Sequence, residues 1–190
     1  RTCAPEWILE GDIKGCFDHI SHEWLLNNVP TDKEILRKWL KCGFIFNGEL
    51  FPTEEGTPQG GIISPTLANM ALDGLQSLLE HCIRKYKKNY KTIVSKIHLV
   101  RYADDFIVTA KDRETIETVI LPLVRNFMAE RGLTLSEEKT KITHISEGFD
   151  FLGFNIRKFP NNTLLTQPSD DAKKRFCDKI RKVIESNKTV

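Results

Sequence analysis

Three aspartates have the type and the surroundings to do chemistry. Asp12 lies at the end of the apolar, β-capable stretch from Trp7 to Ile13, and Asp104 and Asp105 stand side by side within RYADDFIV (Arg101 to Val108). A hairpin turn made only for shape would favour Asn-Gly or Asp-Gly, whose backbones accept positive φ. Two adjacent carboxylates between Tyr102 and Phe106 instead repel each other in apolar company, so something positive should sit between them. Magnesium suits that place, because it is held by one or two carboxylates together with phosphate oxygens and retained water. Manganese, with a similar preference for oxygen, is the alternative. Single aspartates also serve plainly as turn and cap residues. The metal reading therefore requires Asp12 and the pair to meet in space.

The surrounding elements can arrange that meeting. Residues 7–13 read as a strand, with Gly11 permitting close packing just before Asp12. Residues 23–29 and 32–42 read as helices, the second with Thr31 and Glu34 in capping-box spacing, Ile35, Leu36 and Trp39 as its apolar stripe, and Gly43 as its stop. Asn47-Gly48 marks a two-residue hairpin. After a loop over residues 52–63, Ser64 and Pro65 open a long helix whose apolar face runs through Leu67, Ala71, Leu75, Leu78, Leu79, Cys82, Ile83 and Tyr86. Residues 97–100 and 106–109 are strand-like and flank the acidic pair, which should lie at a hairpin turn.

Residues 113–131 read as a helix ended by Gly132, with Ile116, Ile120, Leu123 and Phe127 inward and Pro122 kinking or dividing it. Two further strands, 141–145 and 149–158, precede a helix from Asp170 to Ser186 whose acids come first and whose Lys and Arg follow, as the helix dipole favours. Leaving aside residues 21–56, the order is strand, helix, strand, strand, helix, strand. That is the split βαβ order of an α+β, ferredoxin-like βαββαβ domain, here with inserted helices and a C-terminal helix. It brings the end of the first strand beside the turn of the central hairpin.

Composition bounds the rest. With 190 residues and 40% hydrophobic content, the chain can bury the core of one sizeable domain. No stretch approaches the roughly 20 apolar residues of a membrane span, and residues 1–7 lack a signal-peptide hydrophobic region. The 5 cysteines (Cys3, Cys16, Cys42, Cys82, Cys177) are scattered without zinc-like spacing and read as reduced, mostly buried thiols of a cytoplasmic protein. Net charge is only +2, but Arg84, Lys85, Lys87, Lys88, Lys91, Lys96 and Arg101 form a run without acids, interleaved with Tyr86 and Tyr90. It reads equally as a phosphate-facing surface or as a solvated helix end and loop.

RYADDFIV resembles the catalytic motif of reverse transcriptases, and GTPQGGIISPTLANMALDGL (Gly56 to Leu75) closely resembles the matching segment of group II intron-encoded reverse transcriptases, or maturases. DIKGCFDHI (Asp12 to Ile20) is similar to their first aspartate motif. LKCGF (Leu40 to Phe44), GLTLSEEKTKI (Gly132 to Ile142) and FDFLGF (Phe149 to Phe154) follow in the family's order. The TPQGG segment is the most specific of these, and YADD by itself is moderately so.

The resemblance implies a polymerase palm over residues 1–146, a primer-grip-like hairpin over 147–168 and the start of a thumb helix over 169–190. It also implies roles. Asp12 and Asp104 would hold two Mg²⁺ ions, Asp105 would assist as a weaker or outer ligand, and the Ile13 carbonyl could complete a site. Phe17 would lie under the sugar of the incoming nucleotide and exclude a 2′-hydroxyl. Gln59 and Gly60 would contact nucleotide and template, and Lys139 would approach the triphosphate and protonate the departing pyrophosphate. Phe151, Leu152 and Gly153 would grip the primer end, while Arg101, Lys173, Lys174 and Lys179 would follow a nucleic-acid backbone.

The implied partners are an RNA template, a DNA primer, deoxynucleoside triphosphates and the intron's own RNA. Retron, diversity-generating or CRISPR-associated reverse transcriptases, and a maturase acting chiefly as an RNA-binding splicing factor, are the alternatives. RNA-dependent RNA polymerases fit less well, since they carry Gly-Asp-Asp and no aromatic gate. The chain opens without Met, and the family's fingers motifs and most of its thumb are absent, so it is expected to be a fragment that polymerises poorly alone.

Overall fold

A computed structural model describes residues 5–46, 48–58, 61–81 and 97–187. Its centre is a four-stranded antiparallel sheet of β1 (Trp7–Gly11), β4 (His98–Tyr102), β5 (Asp105–Ala110) and β6 (Lys141–His144), in the order β4-β5-β1-β6. Both inner strands, β1 and β5, come from different halves of the ferredoxin-like order, so Gly11 pairs with Phe106 and Trp7 with Ala110. The α+β architecture expected from the sequence is the one observed.

Strand alternation divides the sheet into two faces. Leu9, Phe106, Val108 and Ala110 are buried against a helical layer that contributes Leu67, Ala71, Leu75, Ile116, Ile120, Val124 and Met128. Burying a side chain of this size contributes about 1.5–3 kcal/mol, so this layer holds the sheet. Ile8 and Ile107 point the other way, into a small cluster with Phe149. Phe149 belongs to a second sheet of β7 (Phe149–Phe151), β8 (Phe154–Lys158) and β9 (Leu164–Pro168), which covers part of the opposite face.

Before the hairpin of β2 (Phe44–Phe46) and β3 (Glu49–Phe51), three helices occur: α1 (Cys16–His19), α2 (His22–Asn28) and α3 (Lys33–Lys41). The cap of α3 is Asp32, one residue after the expected Thr31, and its carboxylate accepts from the backbone N–H groups of Glu34 and Ile35 at 2.9 Å. A carboxylate at a helix N-terminus also complements the dipole, which a hydroxyl cannot do. β2 and β3 pair with Phe46 opposite Glu49, and Asn47, the first residue of the expected turn, lies outside the described residues.

The long helix expected from Ser64 is broken. α4 (Ser64–Leu72) ends at Asp73, whose ψ of 145° leaves the helical region; Gly74 follows at φ 94°, and residues 75–81 form a separate helix, α5. The apolar periodicity survives the break, since Leu67, Ala71, Leu75 and Leu79 are all buried. Cys82, Ile83 and Tyr86 lie outside the described residues.

Pro122 acts differently from a simple break. Helix α6 (Arg113–Thr115) passes through a wide π turn over Ile116–Ile120 into α7 (Leu121–Ala129), and the N–H of Leu121 reaches five residues back to Ile116 O. The wider turn makes room for a ring that would otherwise meet the carbonyl four residues earlier. It also rotates the buried face by one residue, so that Val124 is buried where Leu123 was expected.

Residues 149–158, expected as one strand, form the hairpin of β7 and β8, and β9, exposed along its whole length, lacks the buried alternation that marks a strand in sequence. The last helix, α8 (Asp170–Ser186), is capped by Ser169 and buries none of its residues. Among the described residues, no helix is long and apolar enough to cross a membrane. The described cysteines are unpaired. Cys16 is buried, but Cys42 and Cys177 are exposed, contrary to the expectation of mostly buried thiols.

Candidate active site

The fold places Asp12 one residue beyond β1 and Asp104 at the tip of the hairpin joining β4 and β5. Tyr102 pairs with Asp105, so Ala103 and Asp104 are the two central turn residues and Asp105 is the first residue of β5. Only the pair's first member is in the turn proper. Ala103 takes φ 54°, a left-handed conformation unusual for a residue with a Cβ and costing about 1–3 kcal/mol. Strain of this kind persists where the surroundings fix it.

Gly11 is what lets Asp12 come close. A Cβ there would meet the ring of Phe106 at 2.0 Å, so β1 can lie against that buried ring only with glycine at this position. The chain after Asp12 is held by a short ladder. The N–H of Ser136 donates to Asp12 O at 2.8 Å, the N–H of Lys14 donates to Thr134 O at 3.0 Å, and Ile13 bridges Leu135. That ladder brings in Lys139, whose Nζ lies 3.4 Å from Asp12 Oδ2.

Partial burial, and then the charges of Asp104 and Asp12, hold the Asp105 carboxyl above the usual aspartate range, while Lys139 pulls it down. The buried Cys16 thiol is pushed up to about 11, by burial first and the Asp104 charge second, with Arg101 opposing. It is therefore protonated and apolar in character at neutral pH. Among the described residues, no three histidine, cysteine, aspartate or glutamate side chains converge as a finished metal cage. The donor set nonetheless fits a divalent cation that keeps water or phosphate oxygens: two or three carboxylates with mutually unfavourable charges and a backbone strand end beside them.

A cleft of about 780 Å³ opens at these residues, lined by Asp12, Cys16, Phe17, Asp104, Ser136 and Lys139 among others. Phe17 is part-buried and packed against the main core. Its carbonyl accepts from the Thr57 N–H at 2.6 Å, and Gly56, at φ 71°, comes so close that a Cβ would meet Phe17 O at 2.2 Å. The Gly56 carbonyl in turn lies 2.6 Å from His22 Nε2. Gln59 and Gly60 lie outside the described residues, as does the basic and aromatic run from Arg84 to Lys96.

The remaining candidates are more scattered. Phe151, Leu152 and Gly153 line a second, smaller cleft with Asp12, Asp105 and Lys139. Lys173, Lys174 and Lys179 are exposed on α8, and Lys173 pairs with Asp170 at 3.0 Å. Arg101 departs from the reading as a backbone contact. Its guanidinium is turned inward and donates to Asn69, Asp73 and Ala103. Asn69 and Asp73 carry no sequence signal for this role beyond the place of Asp73 next to Gly74.

Residues 2–156 match the family described as reverse transcriptase (RNA-dependent DNA polymerase). The group II intron-encoded protein LtrA of Lactococcus lactis subsp. cremoris is 30% identical across 97% of this chain and 42% of its own length. A 91 kDa protein in the cob intron of Schizosaccharomyces pombe is 32% identical across 83% of this chain and 26% of its own. The chain thus spans less than half the length of these relatives. Among solved structures, the apo telomerase of Candida tropicalis superposes with a TM-score of 0.61 at 16% identity, across 90% of this chain and 34% of that one. At that identity the likeness speaks for the fold. The family match, together with the order of its motifs along this fold, establishes that the chain belongs to the reverse transcriptases.

Proposed function

We propose that the chain is the palm of an RNA-directed DNA polymerase of the group II intron type, adding deoxynucleotides to a primer 3′-hydroxyl along an RNA template. One observation carries this reading: Asp12 and Asp104, distant in sequence, both line a cleft of about 780 Å³, large enough for a nucleotide, with Asp105 next to them at the start of β5. Residues 1–146 form the palm in this reading, residues 147–168 the primer-gripping hairpin with Phe151, Leu152 and Gly153, and residues 169–190 the start of a thumb. The full-length protein works in the cytoplasm, with its intron RNA as a further partner.

Asp12 and Asp104 would hold Mg²⁺, with Mn²⁺ as a substitute, Asp105 assisting and the Ile13 carbonyl available. Ions held there would supply Lewis acidity, making the 3′-hydroxyl easier to deprotonate and offsetting the charge of the triphosphate. The chain's own residues do the rest. The primer 3′-hydroxyl gives its proton to water as its oxygen bonds to the α-phosphorus and the bond to pyrophosphate breaks, and Lys139 gives the departing pyrophosphate a proton. Phe17 closes the space that a 2′-hydroxyl would need, and Thr57 and Gly56 fix the backbone that carries its ring.

Mg²⁺-dependent primer extension by the full-length protein on an RNA template tests the reading. Asp12→Ala and Asp104→Ala are each expected to lower the rate by about a thousandfold or more; extension by Asp104→Ala at the wild-type rate overturns it. Phe17→Ala is expected to shift the ratio of kcat/KM for ribonucleotides over deoxynucleotides upward by about 10–100-fold. An unchanged ratio removes Phe17 from that role. Binding to intron RNA against unrelated RNA, across a salt series, separates specific recognition from phosphate attraction.

A further inference from the structure

Arg101 sits on β4 two residues before the acidic turn, and its side chain is only 19% exposed although the strand lies at the sheet edge. Its guanidinium makes three directed contacts. Nη1 donates to Ala103 O at 3.0 Å and to Asn69 Oδ1 at 2.9 Å, and Nη2 donates to Asp73 Oδ1 at 3.0 Å. The first acceptor belongs to the turn itself, at the residue held at φ 54°. The other two lie at the C-terminal end of α4, where a cation also meets the favourable end of the helix dipole. Both are available because α4 stops at Asp73 instead of running on.

We propose that Arg101 is a positioning residue that ties the Ala103-Asp104 turn to the end of α4 and so fixes where the Asp104 carboxylate stands. The proposal rests on the reading of Asp104 as a metal-holding residue. A planar fork with donors on two nitrogens can serve the turn carbonyl and the two helix-end oxygens together; an ammonium at the end of a flexible stem cannot hold all three in one plane. With the fork spent on acceptors of the chain itself, little remains to offer a phosphate. Asp73, whose side chain is 71% exposed, serves as the outer half of the clamp.

Four measurements on the full-length protein test this: kcat for primer extension, the Mg²⁺ concentration for half-maximal rate, the Kd for template-primer across a salt series, and amide hydrogen exchange over residues 102–105. Arg101→Ala is expected to lower kcat by about 10–100-fold, as a small misplacement of a reacting group does. It should also raise the Mg²⁺ requirement several-fold and speed exchange at the turn, while Kd and its salt slope stay unchanged. Arg101→Lys should recover only part of kcat.

A paired Asn69→Ala, Asp73→Ala variant, which keeps Arg101 but removes its helix-end acceptors, is expected to move the same quantities in the same direction by less. It decides the matter if Arg101→Ala fails to fold. Weaker template-primer binding with a salt slope shallower by about 1, and an unchanged Mg²⁺ requirement, would make Arg101 a phosphate contact and overturn the proposal. Asp104→Ala separates the two levels. If it extends primers normally, the catalytic reading fails; if it is inactive while both clamp variants keep wild-type kcat, Mg²⁺ requirement and exchange, the clamp alone fails.

Discussion

Two hairpin turns flank the acidic site, and both hold a residue with a side chain at positive φ: Ala103 at 54° and Leu152 at 51°. Their supports differ. The Ala103-Asp104 turn tops β5, whose Phe106 is 1% exposed, and it is tied through Arg101 to a second element. The Leu152-Gly153 turn tops a small sheet whose buried cluster is Ile8, Ile107 and Phe149, and it is joined to α8 through the Ser169 N–H donating to Gly153 O at 2.9 Å. Leu152 and Phe154 at that turn are 47% and 49% exposed. Both turns face outward, Tyr102 by 66%, so the difference lies in what stands beneath them: a ring sealed in the main core under the first and a small cluster under the second. A carboxylate that must stand at one point needs the first arrangement, whereas a surface that meets a long polymer can use the second.

The largest expected difference tests the supports. Phe106→Ala should cost about 3–5 kcal/mol in urea unfolding, because it empties a sealed site beneath the acids. Phe154→Ala, on the second turn, should cost less than about 1 kcal/mol. Equal losses would break the distinction between the two turns. A smaller effect concerns the strain. Gly153 follows Leu152 at φ 82°, so both central residues are left-handed, the geometry that Asn-Gly fits best. Leu152→Asn is therefore expected to raise stability by about 0.5–1 kcal/mol. If it instead lowers the unfolding midpoint, the backbone at this turn is not where the strain lies.

The smallest effect is electrostatic. The fold raises the Asp105 pKa, so the folded state binds its proton more readily than the unfolded chain does. The ionised form then weakens the fold, a penalty absent below the ordinary value of 3.8 and growing as pH rises through the raised one. Asp105→Asn should accordingly melt higher than the parent at about pH 7 and no higher below about pH 3.5, in metal-free buffer. Saturating Mg²⁺ should shrink the gain, because the parent's carboxylate then has a partner. A gain independent of pH would point to packing rather than charge.

Sequence pattern carried some of this well and some of it poorly. The ferredoxin-like order was legible because apolar period and turn residues agree locally in β1, β4, β5, α7 and α8. The Asp32 cap lay one residue from the expected one because a capping box and an aspartate cap share similar letters. The break at Asp73-Gly74 was hidden because Leu67, Ala71, Leu75 and Leu79 keep a helical period across it. Pro122 announced a disturbance but not its form, since a kink, a break and a π turn all accommodate the missing N–H.

The sequence by itself determined which residues are able to carry charge and metal here, and in what order the elements follow, because both depend on residue type and local period. Only the tertiary structure decided that Asp12, Asp105 and Lys139 share one cleft region, that Gly11 exists to admit the Phe106 ring, and that Arg101 faces inward. Those facts depend on strand pairing between segments roughly a hundred residues apart, which no local window contains.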